Sequence, residues 1–323
     1  MPMRLFLAPM EGVIDHHFRT IYGDIGGVDI CVSEFMRVND LPISEKALLR
    51  DCPELNRTGL SATPNGTPVR VQLLGSNPET LAESAAIAAS LGASAIDLNF
   101  GCPAKTVNNS KGGAVLLKSP TLVSDIVSCV RAAVPSQTPV TAKIRLGFEE
   151  RDLYLDNAHA ITEAGANELC VHARSKADGY KPPAYWKCIA EIVNEISIPV
   201  VANGEIWNIR DWQQCKVESG CADFMVGRGL VACPDLALQI KAHNEGSEYQ
   251  PMAWVDILVL LNRFYYDTKD AYPLRFLGNR VKQWLFYLQM HYPEAIPFFE
   301  KIKRYKQPHE FEAILGKKIT AAE

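Results

Sequence analysis

Residues 69–101 read VRVQLLGSNPETLAESAAIAASLGASAIDLNFG. Two short runs, VRVQLLG (69–75) and AIDLNFG (95–101), are apolar almost throughout, as strands are when both faces of their sheet are covered. Between them, Asn77 is placed to cap a helix, Pro78 to start it and Gly92 to stop it. The unit is strand–helix–strand, and it recurs along the chain. Further β-forming runs are RLFLAP (4–9), DICVSEF (29–35), VTAKIRLG (140–147), ELCVHAR (168–174), PVVANGEI (199–206) and ADFMVGRG (222–229). Eight strand–helix units over about 240 residues predict an α/β fold, a (β/α)8 TIM barrel. A doubly wound sheet is the alternative. It needs fewer units and usually a glycine-rich first turn, which LAPMEG is not.

After HNEGSEYQPM (243–252) the pattern changes. Residues 252–323 hold 14 of the 28 aromatic residues, and 11 Lys+Arg against 8 Asp+Glu, a balance of +3. Residues 1–251 carry 22 against 29, a balance of −7. WVDILVLLNRFYYD, LRFLGNRVKQWLFYLQMHY and EAIPFFEKIKRY have helical periodicity. The expected organisation is therefore a catalytic barrel over 1–243 and a small all-α helical bundle over 252–323. Arg275, Arg280, Lys282, Lys301, Lys303, Arg304 and Lys306 give the tail a basic side suited to a phosphate backbone.

The full chain has 323 residues and a formal net charge of −4, which disfavours a protein that coats nucleic acid by charge alone. No apolar run approaches the roughly 20 residues that span a bilayer. Nine cysteines with no CxxC spacing fit reduced thiols in a cytoplasm rather than a disulfide frame. No His/Asp/Glu spacing suggests a metal site, and nothing demands a protein partner.

Barrel chemistry sits at the C-terminal ends of the strands. Those ends carry Pro9, Met10 and Glu11; Glu34 and Arg37; Gln72; Asn99 with Cys102. The ring continues with Lys143 and Arg145; His172 and Arg174; Asn203, Gly204 and Glu205; and Gly227 and Arg228. Each residue alone has a bland reading, but a complete polar ring calls for a ligand. The glycines of ANGEI and VGRG, with Arg228, suit a phosphate after strands seven and eight. Lys143 suits a cofactor that becomes anionic on reduction, as a flavin does.

NFGCPAKTVNNSKGGAVLL, LAPMEGVIDHHFR, KIRLG, VVANGEI and VGRG together resemble the tRNA-dihydrouridine synthases over essentially the whole chain. SEFMRV and NRVKQWLFYL look most like the bacterial C-type subfamily, which acts at tRNA position 16. The resemblance implies FMN over the barrel mouth, hydride from NADPH or NADH, and a helical domain that helps hold tRNA. By match of motif, Pro9, Met10, Glu11, Gln72 and Lys143 would contact FMN, as would His172, Asn203, Gly204, Glu205, Gly227 and Arg228. Arg37, Asn99, Tyr180, Arg280 and Lys282 would touch the RNA. One departure is NSKGG, where Lys111 interrupts a run that is more glycine-rich in relatives.

Saturating the C5=C6 bond of uridine takes a hydride at C6 and a proton at C5. A thiol with a pKa near its unperturbed value of about 8.5 is mostly protonated at neutral pH and can still release its proton. Cys102, fixed between Gly101 and Pro103, is the expected proton donor. The target base is stacked in folded tRNA and must be splayed out. The competing readings are a flavin barrel reductase for a free small molecule, a synthase acting at another tRNA position, and a non-catalytic RNA-binding barrel.

Overall fold

The computed structural model describes residues 2–56 and 59–319. Its strands are β1 (Leu5–Leu7), β2 (Ile30–Val32), β3 (Met36–Arg37), β4 (Val69–Leu74), β5 (Ile96–Phe100), β6 (Val140–Arg145), β7 (Glu168–His172), β8 (Val200–Asn203) and β9 (Asp223–Val226). Every ladder between them is parallel. β1 pairs with both β2 and β9, and β2 pairs with β4, so eight strands close into a barrel while β3 lies beside the end of β4. The expected strand over 29–35 stops at Val32. There the Ser33 hydroxyl accepts the Gln72 backbone N–H at 3.0 Å, a side-chain bond at the point where the regular ladder ends.

Alternation along each strand sorts the barrel into an outer and an inner face. Outward residues such as Leu5, Val71, Leu98, Ile144, Val171 and Phe224 join the main core beneath the helices. Inward, Phe6, Val32, Cys170, Val201 and Met225 form a small separate cluster. Below it, Arg4 and Arg70 flank the Phe6 ring at 5.2 and 5.0 Å. Glu168 pairs with both guanidiniums at 2.7 and 2.5 Å, so ion pairs close the floor. The same inner registers carried one step further place Asn99, Lys143, His172 and Asn203 at the opposite, C-terminal mouth.

The helix between β4 and β5 spans Pro78–Ser90, and the Asn77 side chain accepts the Thr80 N–H at 2.9 Å. The last barrel helix, Leu236–Glu245, runs past residue 243. The tail then forms helices Trp254–Thr268, Asn279–Leu288, Ala295–Ile302 and Pro308–Leu315. The long periodic stretch around LRFLGNRVKQWLFYL is broken at Gly278, whose φ is +70° and where a Cβ would lie 2.0 Å from the Phe311 ring. The last helix was not anticipated, although Pro308 in its first turn and the Gln307/Glu310 capping box mark its start. Aromatic packing joins tail to barrel. Phe18 meets Phe264 and Trp284 with ring centroids 4.6 and 4.8 Å apart, and the Trp284 indole N–H donates to the Val231 carbonyl at 3.0 Å.

Candidate active site

At the C-terminal mouth lies a cavity of about 500 Å³. Pro9, Met10 and Glu11 line it from the end of β1, and Asn99 and Cys102 from β5 and its loop. Lys143, His172, Asn203, Gly204, Glu205, Gly227 and Arg228 complete the wall, and Tyr180 stands at its edge. The strand-end ring read from the sequence is thus largely brought together in one space.

The loop after β5 explains its own composition. Asn99 Oδ1 accepts the backbone N–H groups of Gly101 and Cys102, both at 2.9 Å. Asn108 Nδ2 donates to the Cys102 carbonyl at 3.0 Å, and its Oδ1 accepts the Val115 N–H at 2.8 Å. Arg145 Nε donates to the Gly101 carbonyl at 2.9 Å, and its Nη1 to the carbonyls of Ser175 and Gly179. The amides and the cation around the cysteine hold its loop. Cys102 is 8% exposed, beside Leu74 and Val107. Burial pushes its thiol above the ordinary value, so it is protonated at neutral pH.

Across the cavity, Lys143 Nζ donates to Asn203 Oδ1 at 2.9 Å, and Asn203 Nδ2 to the Met225 carbonyl at 2.7 Å. Among the described residues, no carboxylate lies within ion-pair distance of Lys143. Burial pulls its ammonium below the usual value. His172 is held well below its ordinary value by burial and by the charges of Arg145, Lys143, Arg174 and Arg228, so its imidazole is neutral. Its buried Nδ1 has no partner among the described residues. A partnerless imidazole nitrogen and a lysine without a counter-ion are what a polar, electron-rich ring would satisfy.

At the far end of the mouth, the Arg228 guanidinium lies between the Tyr180 and Trp207 rings at 4.7 and 4.8 Å. Glu205 reaches Arg174 at 2.5 Å and Arg228 at 3.6 Å. Gly204 has φ +116°, and a Cβ there would approach the His172 ring at 3.3 Å. The residues present therefore fit a phosphate-bearing flavin: a cationic end with close-approach glycines, and a neutral imidazole and an ammonium further in.

Four expected contacts lie elsewhere. Gln72 is fully buried behind Asn99 and is not among the cavity-lining residues; its amide is engaged by Asp97 and Asn99 at 2.7 and 2.8 Å. Arg37 lies outside the wall beside it, 3.4 Å from Glu11. Arg280 donates to the Gly12 and Val13 carbonyls and to Asp15, and Lys282 to the Tyr305 carbonyl at 2.6 Å. Arg280 Nη1 and Nη2 and Lys282 Nζ are bonded inside the chain, while the buried Arg280 Nε has no partner among the described residues.

Three contributors were missed. Asp97 shares the inner face of β5 with Asn99, which strand alternation could have revealed. Trp207 follows the expected glycine turn directly. Tyr287 reaches the cavity from the tail helix Asn279–Leu288, and nothing local in sequence points there.

Comparison with known proteins agrees with this geometry. Residues 6–322 match the family described as Dihydrouridine synthase (Dus). The tRNA-dihydrouridine(16) synthase of Pseudomonas putida is 49% identical over 314 residues, spanning 97% of each chain. That of Haemophilus influenzae is 44% identical over 318 residues, spanning 98% of this chain and all of the other. Among solved structures, the old yellow enzyme homologue from Zymomonas mobilis superimposes with a TM-score of 0.51 at 12% identity, covering 77% of this chain and 90% of that one. A 2-naphthoyl-CoA reductase gives 0.57 at 13% identity, covering 76% and 50%. These two share the barrel fold. With a family match that spans nearly all of it, this chain belongs to the dihydrouridine synthase family.

Proposed function

We propose that this protein reduces the C5=C6 bond of uridine 16 in the tRNA D-loop to 5,6-dihydrouridine, with FMN as cofactor and NADPH as reductant. The observation that carries this reading is the placement of the Cys102 thiol in the same cavity as Lys143, His172 and Arg228. When bound, reduced FMN supplies the hydride that adds to C6. Cys102, protonated at neutral pH, gives the proton to C5, so the two additions balance and the cysteine leaves as a thiolate to be reprotonated from solvent.

The rest of the wall binds and orients. Gly227 and Arg228 would hold the FMN phosphate, Pro9, Met10, Glu11, Lys143 and His172 its ring system, and Asn203, Gly204 and Glu205 the edge between them. Gln72 acts from behind, through Asn99. Arg37 and Tyr180, at the rim, would meet the RNA, with Asn99 beside the flipped base. Arg280 and Lys282 would serve the RNA by fixing the tail. The helical region 252–323 is the tRNA-gripping domain on this reading, and the protein works in the cytoplasm, where tRNA and reduced pyridine nucleotide meet. Among the described residues, no helix is long and apolar enough to cross a membrane.

The test is to map dihydrouridine in tRNA from cells lacking this gene, with and without the gene restored. Loss at position 16 alone, regained on complementation, is the expected result. Loss at another position would move the assignment to that uridine, and unchanged tRNA would end it. A yellow preparation that bleaches with NADPH tests the cofactor separately.

A further inference from the structure

Behind Cys102 runs a chain of buried side chains whose hydrogen bonds have only one workable direction. The backbone N–H groups of Gly101 and Cys102 can only donate, so the Asn99 carboxamide must face them with its oxygen, at 2.9 Å to each. Asn99 Nδ2 is then left to donate, and Gln72 Oε1 accepts it at 2.8 Å. That turns Gln72 Nε2 toward Asp97, whose Oδ2 accepts it at 2.7 Å. The other carboxyl oxygen, Oδ1, takes the Thr141 hydroxyl at 2.6 Å. Gln72 and Asp97 are 0% and 2% exposed, so bulk water cannot repair a reversed amide. The strands enforce the order, since Gln72 sits opposite Asp97 in the β4–β5 ladder and Asp97 opposite Thr141 in β5–β6.

We propose that Asp97 is a positioning residue: it ends the chain with an acceptor, fixes the orientation of the Gln72 and Asn99 amides, and thereby seats the Cys102 loop at the cavity. The consequence for turnover rests on Cys102 being the proton donor; the consequence for the seat of the sulfur does not.

Direction makes the proposal testable by exchange. In Asn99→Asp, the new carboxylate still accepts both backbone N–H groups but cannot donate to Gln72. Gln72 must then turn over and set its oxygen against Asp97. In Asp97→Asn, the new amide can present its oxygen to Gln72 and its nitrogen to the Thr141 hydroxyl, so the original direction survives. In the double variant Asp97→Asn/Asn99→Asp the whole chain runs in reverse with every group paired. Gln72→Glu likewise sets two acceptors together, and the same Asp97→Asn change relieves it.

The readout is the rate at which iodoacetamide alkylates Cys102 in the full-length protein, followed by mass spectrometry of its peptide. Asn99→Asp and Gln72→Glu should each raise that rate about tenfold or more, the scale expected when a buried polar group faces the wrong partner. Asp97→Asn alone should change it little. Added to either, it should return the rate to within about threefold of the starting protein. If Asn99→Asp does not fold, the Gln72→Glu pair decides alone. Failure of Asp97→Asn to rescue a folded partner variant, or an unchanged rate in Asp97→Leu, would overturn the proposal. Turnover by Cys102→Ala is a separate measurement: if it were normal, the acid role would fall while the rescue still stood.

Discussion

Arg280, in the tail, donates to the carboxylate of Asp15, at the start of the first barrel helix, across 2.8 Å. Both side chains are nearly enclosed, at 14% and 11% exposure. The same guanidinium donates to the Val13 carbonyl at 2.7 Å and to that of Gly12, directly after Glu11 in the cavity wall. The tail thus holds one lip of the site. Burial pushes the Asp15 carboxyl up, but Arg280, the Phe18 N–H and the Tyr272 hydroxyl outweigh it and leave it below the usual range. A carboxyl with a depressed folded-state pKa adds stability above its unfolded value of about 3.9 and loses it as pH falls through the lower folded value. Arg280→Ala should cost about 2–3 kcal/mol in urea unfolding at pH 7, somewhat below a fully buried pair. The gap between it and the starting protein should narrow as pH falls through the depressed folded-state value of Asp15. A gap that does not narrow would mean the arginine stabilises through the Gly12 and Val13 carbonyls and its packing on Phe18 and Phe264, not through the ion pair.

The thiol of Cys102 should reveal itself through the alkaline limb of the rate. An acid must be protonated to act, so kcat/KM on unmodified tRNA should fall as pH rises through the thiol pKa. Burial places that limb above the ordinary thiol value. Cys102→Ala should lower turnover about 10²–10⁴-fold, the usual contribution of a placed acid, and should remove the limb. A variant that keeps both the limb and the rate would assign the proton to another group.

The barrel was legible because short apolar β-forming runs alternate with helix signals eight times along the chain, with polar residues gathered at the C-terminal end of nearly every run. The Gly-Cys-Pro loop was legible for a similar reason, since its unusual residues are adjacent in sequence. What escaped depends on distant partners. Gly278 breaks a helical pattern because Phe311 occupies the space beside it. Gln72 is expected at the ligand, and the partner it has within the chain, Asp97, is set by the ladder register rather than by any local pattern. Charge made Arg280 and Lys282 look free for RNA, yet Asp15 and the Tyr305 carbonyl, both far along the chain, bind them. The two-residue β3 carries no pattern long enough to read.

Lys111 is a departure with a physical signature. It stands in the left-handed region at φ +60°, where a side chain is disfavoured by roughly 1–2 kcal/mol. It is exposed, and its backbone N–H donates to the Asn108 carbonyl at 3.0 Å, closing the turn. Glycine relieves the clash but loses more entropy on folding, so Lys111→Gly should stabilise by about 0.5–1 kcal/mol net. Chemical denaturation measures it. If the variant were less stable, the lysine side chain would have to make a contact worth more than its backbone strain.

With Arg280 and Lys282 bonded internally, Lys301, Arg304 and Lys306 are among the exposed cations, with Arg275, Lys317 and Lys318, that the tail offers to phosphates. Nearby Lys303 is shared with Glu300. Each phosphate contact releases counterions, so the affinity for tRNA should fall steeply with salt, with roughly 0.7–0.9 in log–log slope per contact. Replacing Lys301, Arg304 and Lys306 together by glutamine should flatten that slope by about 2 while leaving the melting temperature nearly unchanged, because exposed charges add little to stability. Filter binding of unmodified tRNA at several salt concentrations gives the slope directly. An unaltered slope would place the RNA on another face, and the tail's basic side would then be solvated surface.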